Sequence, residues 1–356
     1  DAEGEPNLVA YDAQSLLDRG NDALARGLPE AAGAQYQQLL REFPGSRLCA
    51  AAIFNLGLAA ESRGDVDAAV GYYEQLAFAG GGGHEVAHSE RESLDAHMRI
   101  AAVQAEDRRW AAARKTLERL LERAELGPDK RVEGMARLGY VALAQGDDAY
   151  AETVLGDALA YYNESAAALE RDDFVAMSRY YFAQVPHRQL LVRPMRLPQE
   201  QLKRDLDAKA ALLTLAYDRY VAVLEFDAPY WSTAAGYQMS QLYKQFWDDI
   251  IAAPIPSELS PQAAGYYRRE LRAQVRGFLE KAMAGHLRNV ELAEVYAAST
   301  VWSRESEQRA RELGAILAGG GAAPPQPAAG VFEPTGPDGS DRALDISGYA
   351  PARAEL

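Results

Sequence analysis

The sequence predicts an all-α protein, a right-handed α-solenoid of stacked helical hairpins followed by a disordered C-terminal tail. Three observations predict it. A set of small and large residues recurs at constant spacing: Gly20, Gly27, Ala32, Tyr36 and Leu39 return 37 residues later as Gly57, Gly64, Ala69, Tyr73 and Leu76. Ala, Leu, Glu, Arg and Gln are abundant, while Ile occurs seven times and Thr six in 356 residues, which is usage that favours helix over sheet. From about residue 318 the chain turns to Gly and Pro with few large apolar residues, a composition that cannot bury enough surface to fold alone.

The elements follow in order. Residues 1–12 form an N-terminal extension, and residues 13–165 hold four repeats at about 13–46, 50–83, 94–127 and 132–165. In each repeat the spacing predicts a helix, a tight turn and a second helix. Gly20, Gly57 and Gly139 fall mid-helix, where glycine costs about 1 kcal/mol relative to alanine, so close approach of the partner helix is the expected reason. Gly27, Gly64 and Gly146 are expected to end the first helix in a left-handed conformation. Ala32, Ala69, Ala113 and Ala151 let the second helix pack tightly, with Tyr36 and Tyr73 filling the groove to the next unit. The third copy, with Trp110, Ala113, Leu117 and Leu120, lacks both glycines and follows an insertion around Gly80 to Gly83. Pro44 and Ser46 stop one hairpin and cap the next helix.

Residues 166–317 continue the helical period in longer units, read as elongated hairpins continuous with the solenoid. Helices are expected at 172–185, 201–225, 230–252, 260–287 and 290–317, the third with Trp231, Ala234, Ala235, Gln238 and Leu242 on one face. Residues 318–356 are the tail.

The Gly, Ala, Tyr and Pro positions of residues 13–165 resemble the tetratricopeptide repeat, a helical hairpin of 34 residues. The stretch FPGSRLCAAAIFNLGLAAESRGDVDAAVGYYEQL resembles repeats of bacterial cell-envelope proteins such as the outer-membrane barrel-assembly lipoprotein and the Tol-Pal coordinator. The second half, from YYFAQVPHRQLL through Pro254 and Pro256 to Trp302, resembles repeat proteins of deltaproteobacteria, including components of gliding-motility and envelope complexes. These resemblances imply a noncatalytic interaction scaffold, periplasmic or associated with the outer membrane, that binds other proteins through a concave face. A cytoplasmic assembly chaperone of the same repeat is the alternative. The acidic start at Asp1 without Met is compatible with removal of an export signal or with trimming.

Charge and cysteine usage narrow the function. With 37 Lys plus Arg against 52 Asp plus Glu, the formal charge is −15, which argues against a binder of bare nucleic acid. The apolar runs are too short for a membrane span. One cysteine, Cys49, excludes an intrachain disulfide, and at the start of a repeat helix without a neighbouring histidine it reads as a buried inert thiol. No motif calls for a cofactor.

Three places are candidate sites. His84-Glu85-Val86-Ala87-His88 fits HExxH, in which two histidines four apart bind zinc and the glutamate activates water, so a zinc metallopeptidase is the enzymatic alternative. Arg91 and Leu94 stand where the extended motif needs Gly and His, and the preferred reading is a solvated helix start without bound metal. On the concave face Asn21, Asn55 and Arg99 fall at three of the five positions by which a carboxylate-clamp repeat holds a C-terminus. Leu17 and Asp95 replace its two lysines, so helix packing is the preferred role. Residues 179–204 carry Arg179, Arg188, Arg193, Arg196, Lys203 and Arg204 against Glu200, a local reversal of charge suited to an acidic segment or a lipid head group. The aromatic group that follows, including Trp231 and Tyr237, is expected mostly in the core, with some rings facing a partner.

Overall fold

The computed structural model describes residues 12–77, 90–123, 126–165, 169, 172–257 and 259–319. Among these residues the regular elements are all helical. The chain divides into two compact units between Glu125 and Leu126.

The first unit contains α1 (Ala13–Ala25), α2 (Pro29–Glu42), α3 (Cys49–Ser62), α4 (Val66–Ala77), α5 (Glu90–Glu106) and α6 (Trp110–Leu121). Each helix packs on the next in sequence. The mid-helix glycines have the role expected of them, although a side chain makes the close approach. A Cβ on Gly20 would lie 2.3 Å from the ring of Tyr36, and one on Gly57 2.4 Å from the ring of Tyr73. Tyr36 and Tyr73 therefore fill the notch of their own hairpin, rather than only the groove to the next unit. The second helix of each pair is amphipathic, whereas Cys49 to Ala60 of α3 are buried all round between α2, α4 and their partners.

The second unit contains α7 (Pro128–Ala144), α8 (Asp148–Ser165), α9 (Asp173–Val192), α10 (Gln199–Val221), α11 (Pro229–Ala252), α12 (Pro261–Val295) and α13 (Val301–Gly319). A single 3-10 turn, Ala222–Glu225, follows α10. The fourth repeat, α7 and α8, packs on α9 within this unit, with Tyr140 and Tyr181 rings 5.1 Å apart. The regular and the elongated hairpins thus share one core across residue 165. Tyr180, Tyr181, Tyr220, Trp231 and Trp302 are buried at its centre.

Five helix ends share one closure. Gly27, Gly64 and Gly146 have φ of 70°, 71° and 78°, and the next residue donates from its N–H to a carbonyl five back: Leu28 to Ala23, Asp65 to Ala60 and Asp147 to Ala142. This is the left-handed closure that satisfies the last carbonyls of a helix. The third repeat makes the same turn without glycine, using Arg108 at φ 58° with Arg109 bonded to Gln104. Between α12 and α13, Ala297 at φ 49° and the bond from Ala298 to Ala293 repeat it once more.

Two expected boundaries move. The helix expected to end at 185 runs through Pro186 to Val192, because another group bonds the carbonyl that proline leaves free. The helix expected to end at 287 continues to Val295, and the turn lies at residues 296–300 rather than before Val290.

Candidate functional site

Two of the candidate clamp residues, Asn21 and Asn55, are joined to each other in the first unit, and Arg99 is held separately at the next interface. Asn21 on α1 accepts at its Oδ1 from Tyr36 Oη, 2.9 Å, and from Asn55 Nδ2 on α3, 2.7 Å. The next interface repeats the scheme with charge. Glu61 Oε1 on α3 accepts from Tyr73 Oη, 2.5 Å, and from Arg99 Nε on α5, 2.7 Å, while a second bond joins Arg99 Nη2 to Glu61 Oε2. In both cases a tyrosine seated on the mid-helix glycine reaches a polar group on the first helix, and the following repeat supplies a second donor. Burial raises the Tyr73 hydroxyl far above its usual range, and the neighbouring Glu61 carboxylate adds to that. Burial works against the charge on Arg99, but its bonds to Glu61 outweigh that and raise the guanidinium further. Arg99, 7% exposed, is thus held by an internal carboxylate where a clamp would present it to a ligand. Leu17 is fully buried and Asp95 half-buried.

The basic stretch at 179–204 is dispersed by folding. Arg179 pairs with Glu225 at 3.2 Å, Arg188 with Asp148 at 2.8 Å, and Arg196 with Asp205 at 3.0 Å. Asp205 is buried and accepts from Arg196 Nε and Nη2, the Arg196 backbone N–H and Gln201 Nε2. The Arg196 bonds, foremost, hold its carboxyl at about 2. Arg193, Lys203 and Arg204 remain exposed, with Arg204 bonded to Gln201. The cationic surface left for an acidic segment or lipid is therefore about half of what the sequence suggests.

Trp231 and Tyr237 are both core residues. The Trp231 ring lies 5.4 Å from Tyr180 and 5.0 Å from Tyr230, and Tyr237 lies 5.4 Å from Trp302 and accepts from Gln241 Nε2 at 2.7 Å. The predicted apolar face of α11 is otherwise as expected, with Ala234, Ala235, Gln238 and Leu242 buried beside Trp231. Cys49 is buried with its Sγ donating to Phe43 O at 3.3 Å, and burial pushes the thiol up. The histidines of the HExxH motif lie outside the described residues. Among the described residues no group of three His, Cys, Asp or Glu is placed to hold a metal ion, and no helix is long and apolar enough to cross a membrane.

A surface that sequence reasoning passed over lies at the start of α12. Tyr266 and Tyr267 are 60% and 40% exposed beside the exposed Arg268, Arg269 and Arg272. The signal was present in the run YYRRELR, an arginine and tyrosine cluster in an acidic chain.

The family model described as tetratricopeptide repeat matches residues 17–84. Residues 17–84 are thus similar to the tetratricopeptide repeat. The match spans the two hairpins in which Gly20 meets Tyr36 and Gly57 meets Tyr73. The repeat generally mediates protein–protein interaction, and its fold is typically a noncatalytic scaffold. Among solved structures, a tetratricopeptide repeat protein from Parabacteroides merdae ATCC 43184 aligns with 84% of this chain and 98% of its own, at 13% identity and a TM-score of 0.39. No curated protein matches the chain.

Proposed function

We propose that the chain is a noncatalytic interaction scaffold or adaptor in a bacterial cell-envelope complex, periplasmic or associated with the outer membrane. The observation that carries the scaffold reading is the match of residues 17–84 to the tetratricopeptide repeat, with Asn21 bonded to Asn55 between its two hairpins and Glu61 bonded to Arg99 of the helix that follows. Such a unit presents a rigid, preformed surface, so a partner binds without the cost of ordering it. The envelope assignment rests on the resemblance of residues 43–76 to envelope repeats.

Gentle extraction of the tagged full chain from its native cell tests both parts. Recovery with a partner in fixed stoichiometry, in the envelope fraction, is the expected result. Recovery as a free monomer counts against the scaffold, and recovery in the cytoplasmic fraction counts against the location.

A further inference from the structure

α12 outruns the helices it packs on. Asn289 seats on Gly236 and Ser240 on Gly285, and the Phe246 and Phe278 rings lie 5.0 Å apart. Each step forward along α11 is thus a step back along α12, which brings the end of α11 at Ala252 level with residues 272–274. α13 runs antiparallel to α12 in the same way. His286 Nδ1 meets Ser306 Oγ, and Arg276 Nη1 donates to Leu317 O at 3.2 Å, so its end at Gly319 reaches the same level. Pro261–Arg272 therefore extends roughly 18 Å past both neighbours at 1.5 Å per residue. Within this span only Ala264 is buried.

The extension is a well-formed helix start with an unfinished seam. Pro261 opens the first turn and Ser260 Oγ accepts from Ala263 N–H at 3.3 Å. Ala264, Tyr267, Leu271, Val275, Phe278 and Ala282 follow one another at spacings of three or four residues, the period of a helix–helix seam. Phe278 and Ala282 belong to the core formed with Trp247 and Leu313. Among the described residues no helix lies over the upper part of the same seam. Arg268, Arg272 and Arg276 run along one edge at four-residue spacing. Arg276 pairs with Glu280, whereas Arg268 and Arg272 make no ion pair among the described residues. Glu270 is the one acid in Pro261–Arg272, against three arginines, in a chain that carries −15.

We propose that the start of α12, from Pro261 to Val275, docks an amphipathic helix of a partner protein whose apolar stripe is flanked by Asp or Glu. This rests on the scaffold reading and names the class of partner. Tyr and Arg are the residue types that most often dominate binding energy at interfaces, and both are exposed here in a rigid frame. The seam is narrow, as a partner helix needs, whereas a helix lying in a membrane interface presents a broad apolar face. A second copy of α12 laid antiparallel would set Arg268 and Arg272 against the same arginines, which charge repulsion disfavours.

The probe is a synthetic amphipathic helix of about 21 residues, three heptads, with leucines in its seam and glutamates along its flanks, beside a twin carrying lysines. Binding to the full chain is measured by fluorescence anisotropy. The glutamate peptide is expected to bind about tenfold or more tighter than the lysine peptide, and Arg268→Glu with Arg272→Glu is expected to reverse the preference. Leu271→Glu should abolish binding of both while leaving the thermal melt unchanged. Equal affinity for the two peptides, or insensitivity to these variants, overturns the proposal. So does binding to phosphatidylserine vesicles alone, or a dimer in sedimentation that Leu271→Glu dissolves while neither peptide binds. If native partners still co-purify with the Arg268→Glu, Arg272→Glu chain and no peptide preference is seen, the docking site fails and the scaffold reading stands.

Discussion

The guanidinium of Arg219 on α10 donates to the carbonyl oxygen of Phe182 on α9 at 2.9 Å and lies over the Phe182 ring, 3.7 Å from its centre. Pro186 sits four residues further along α9 and has no N–H with which to bond that carbonyl. Arg219 supplies the missing donor from the neighbouring helix and is itself held by Glu152 at 2.8 Å. The proline is tolerated mid-helix because the tertiary structure completes its hydrogen bonding.

Arg219→Leu is accordingly expected to destabilise the second unit by about 2 kcal/mol, the scale of a charged hydrogen bond lost at a buried acceptor. Pro186→Ala restores a local donor for Phe182, so the cost of Arg219→Leu in that background should fall by about 1 kcal/mol. Urea melts of the four chains in this cycle measure the coupling. Strict additivity would show that Arg219 does not compensate the proline.

Glycine positions divide into two physical classes with different outcomes. Gly20→Ala forces a methyl into the Tyr36 ring and is expected to cost about 1–3 kcal/mol by overpacking. Gly27→Ala meets no neighbouring atom but must hold φ near 70°, at a cost of about 1 kcal/mol. Truncating the ring by Tyr36→Leu should therefore recover part of the loss at Gly20 and none at Gly27. Ala297→Gly relieves the same left-handed strain and is expected to raise the melting temperature of the second unit.

The buried pair of Glu61 and Arg99 gives a third test, in the first unit. Glu61→Gln leaves Arg99 charged in a buried site and is expected to cost about 3 kcal/mol. Replacing both residues, by Glu61→Leu with Arg99→Met, removes the uncompensated charge and should cost less than either single change. Chemical denaturation of the three variants decides it.

The second unit should lose stability as pH falls from about 6.5 to 4. Burial lowers His187 to about 4, against the bond its Nε2 makes to Gln245 Oε1, which raises it. Burial likewise lowers His286 to about 4, with the nearby Arg309 adding to the fall and Glu312 opposing it. Both imidazoles are neutral in the folded chain while the unfolded chain takes up protons from about 6.5 downward. The unfolded state thus binds more protons across this window, and stability is complete above it. Each histidine contributes about 3 kcal/mol across the window by linkage. Unfolding free energies at pH 7 and 4.5 should differ less in His187→Gln and in His286→Gln than in the parent. An unchanged difference would remove the histidines as its source.

How far the sequence was legible depends on whether a residue's role is local. Gly27, Gly64 and Gly146 announce left-handed turns because few other residues enter that conformation at low cost. The equivalent turn at Arg108 carries no such mark, and only its closing bond from Arg109 to Gln104 shows that the third repeat keeps the geometry. The candidate site was less legible. Charge was read as a run in sequence, but Arg188 and Arg196 find Asp148 and Asp205 only after folding. Trp231 and Tyr237 fit an interface by residue type, and packing against Tyr180 and Trp302 makes them core.

The sequence by itself determined the all-α class, the repeat period and the residues that notch one helix against the next, since these follow from propensity and spacing within some forty residues. Only the tertiary structure decided where the chain divides into compact units, which charges remain unpaired, and that α12 runs beyond its neighbours. The reason is physical. A helix is specified by bonds to residues four away, whereas the burial of an arginine or the length of an uncovered seam depends on where partner helices end, and no local pattern encodes that.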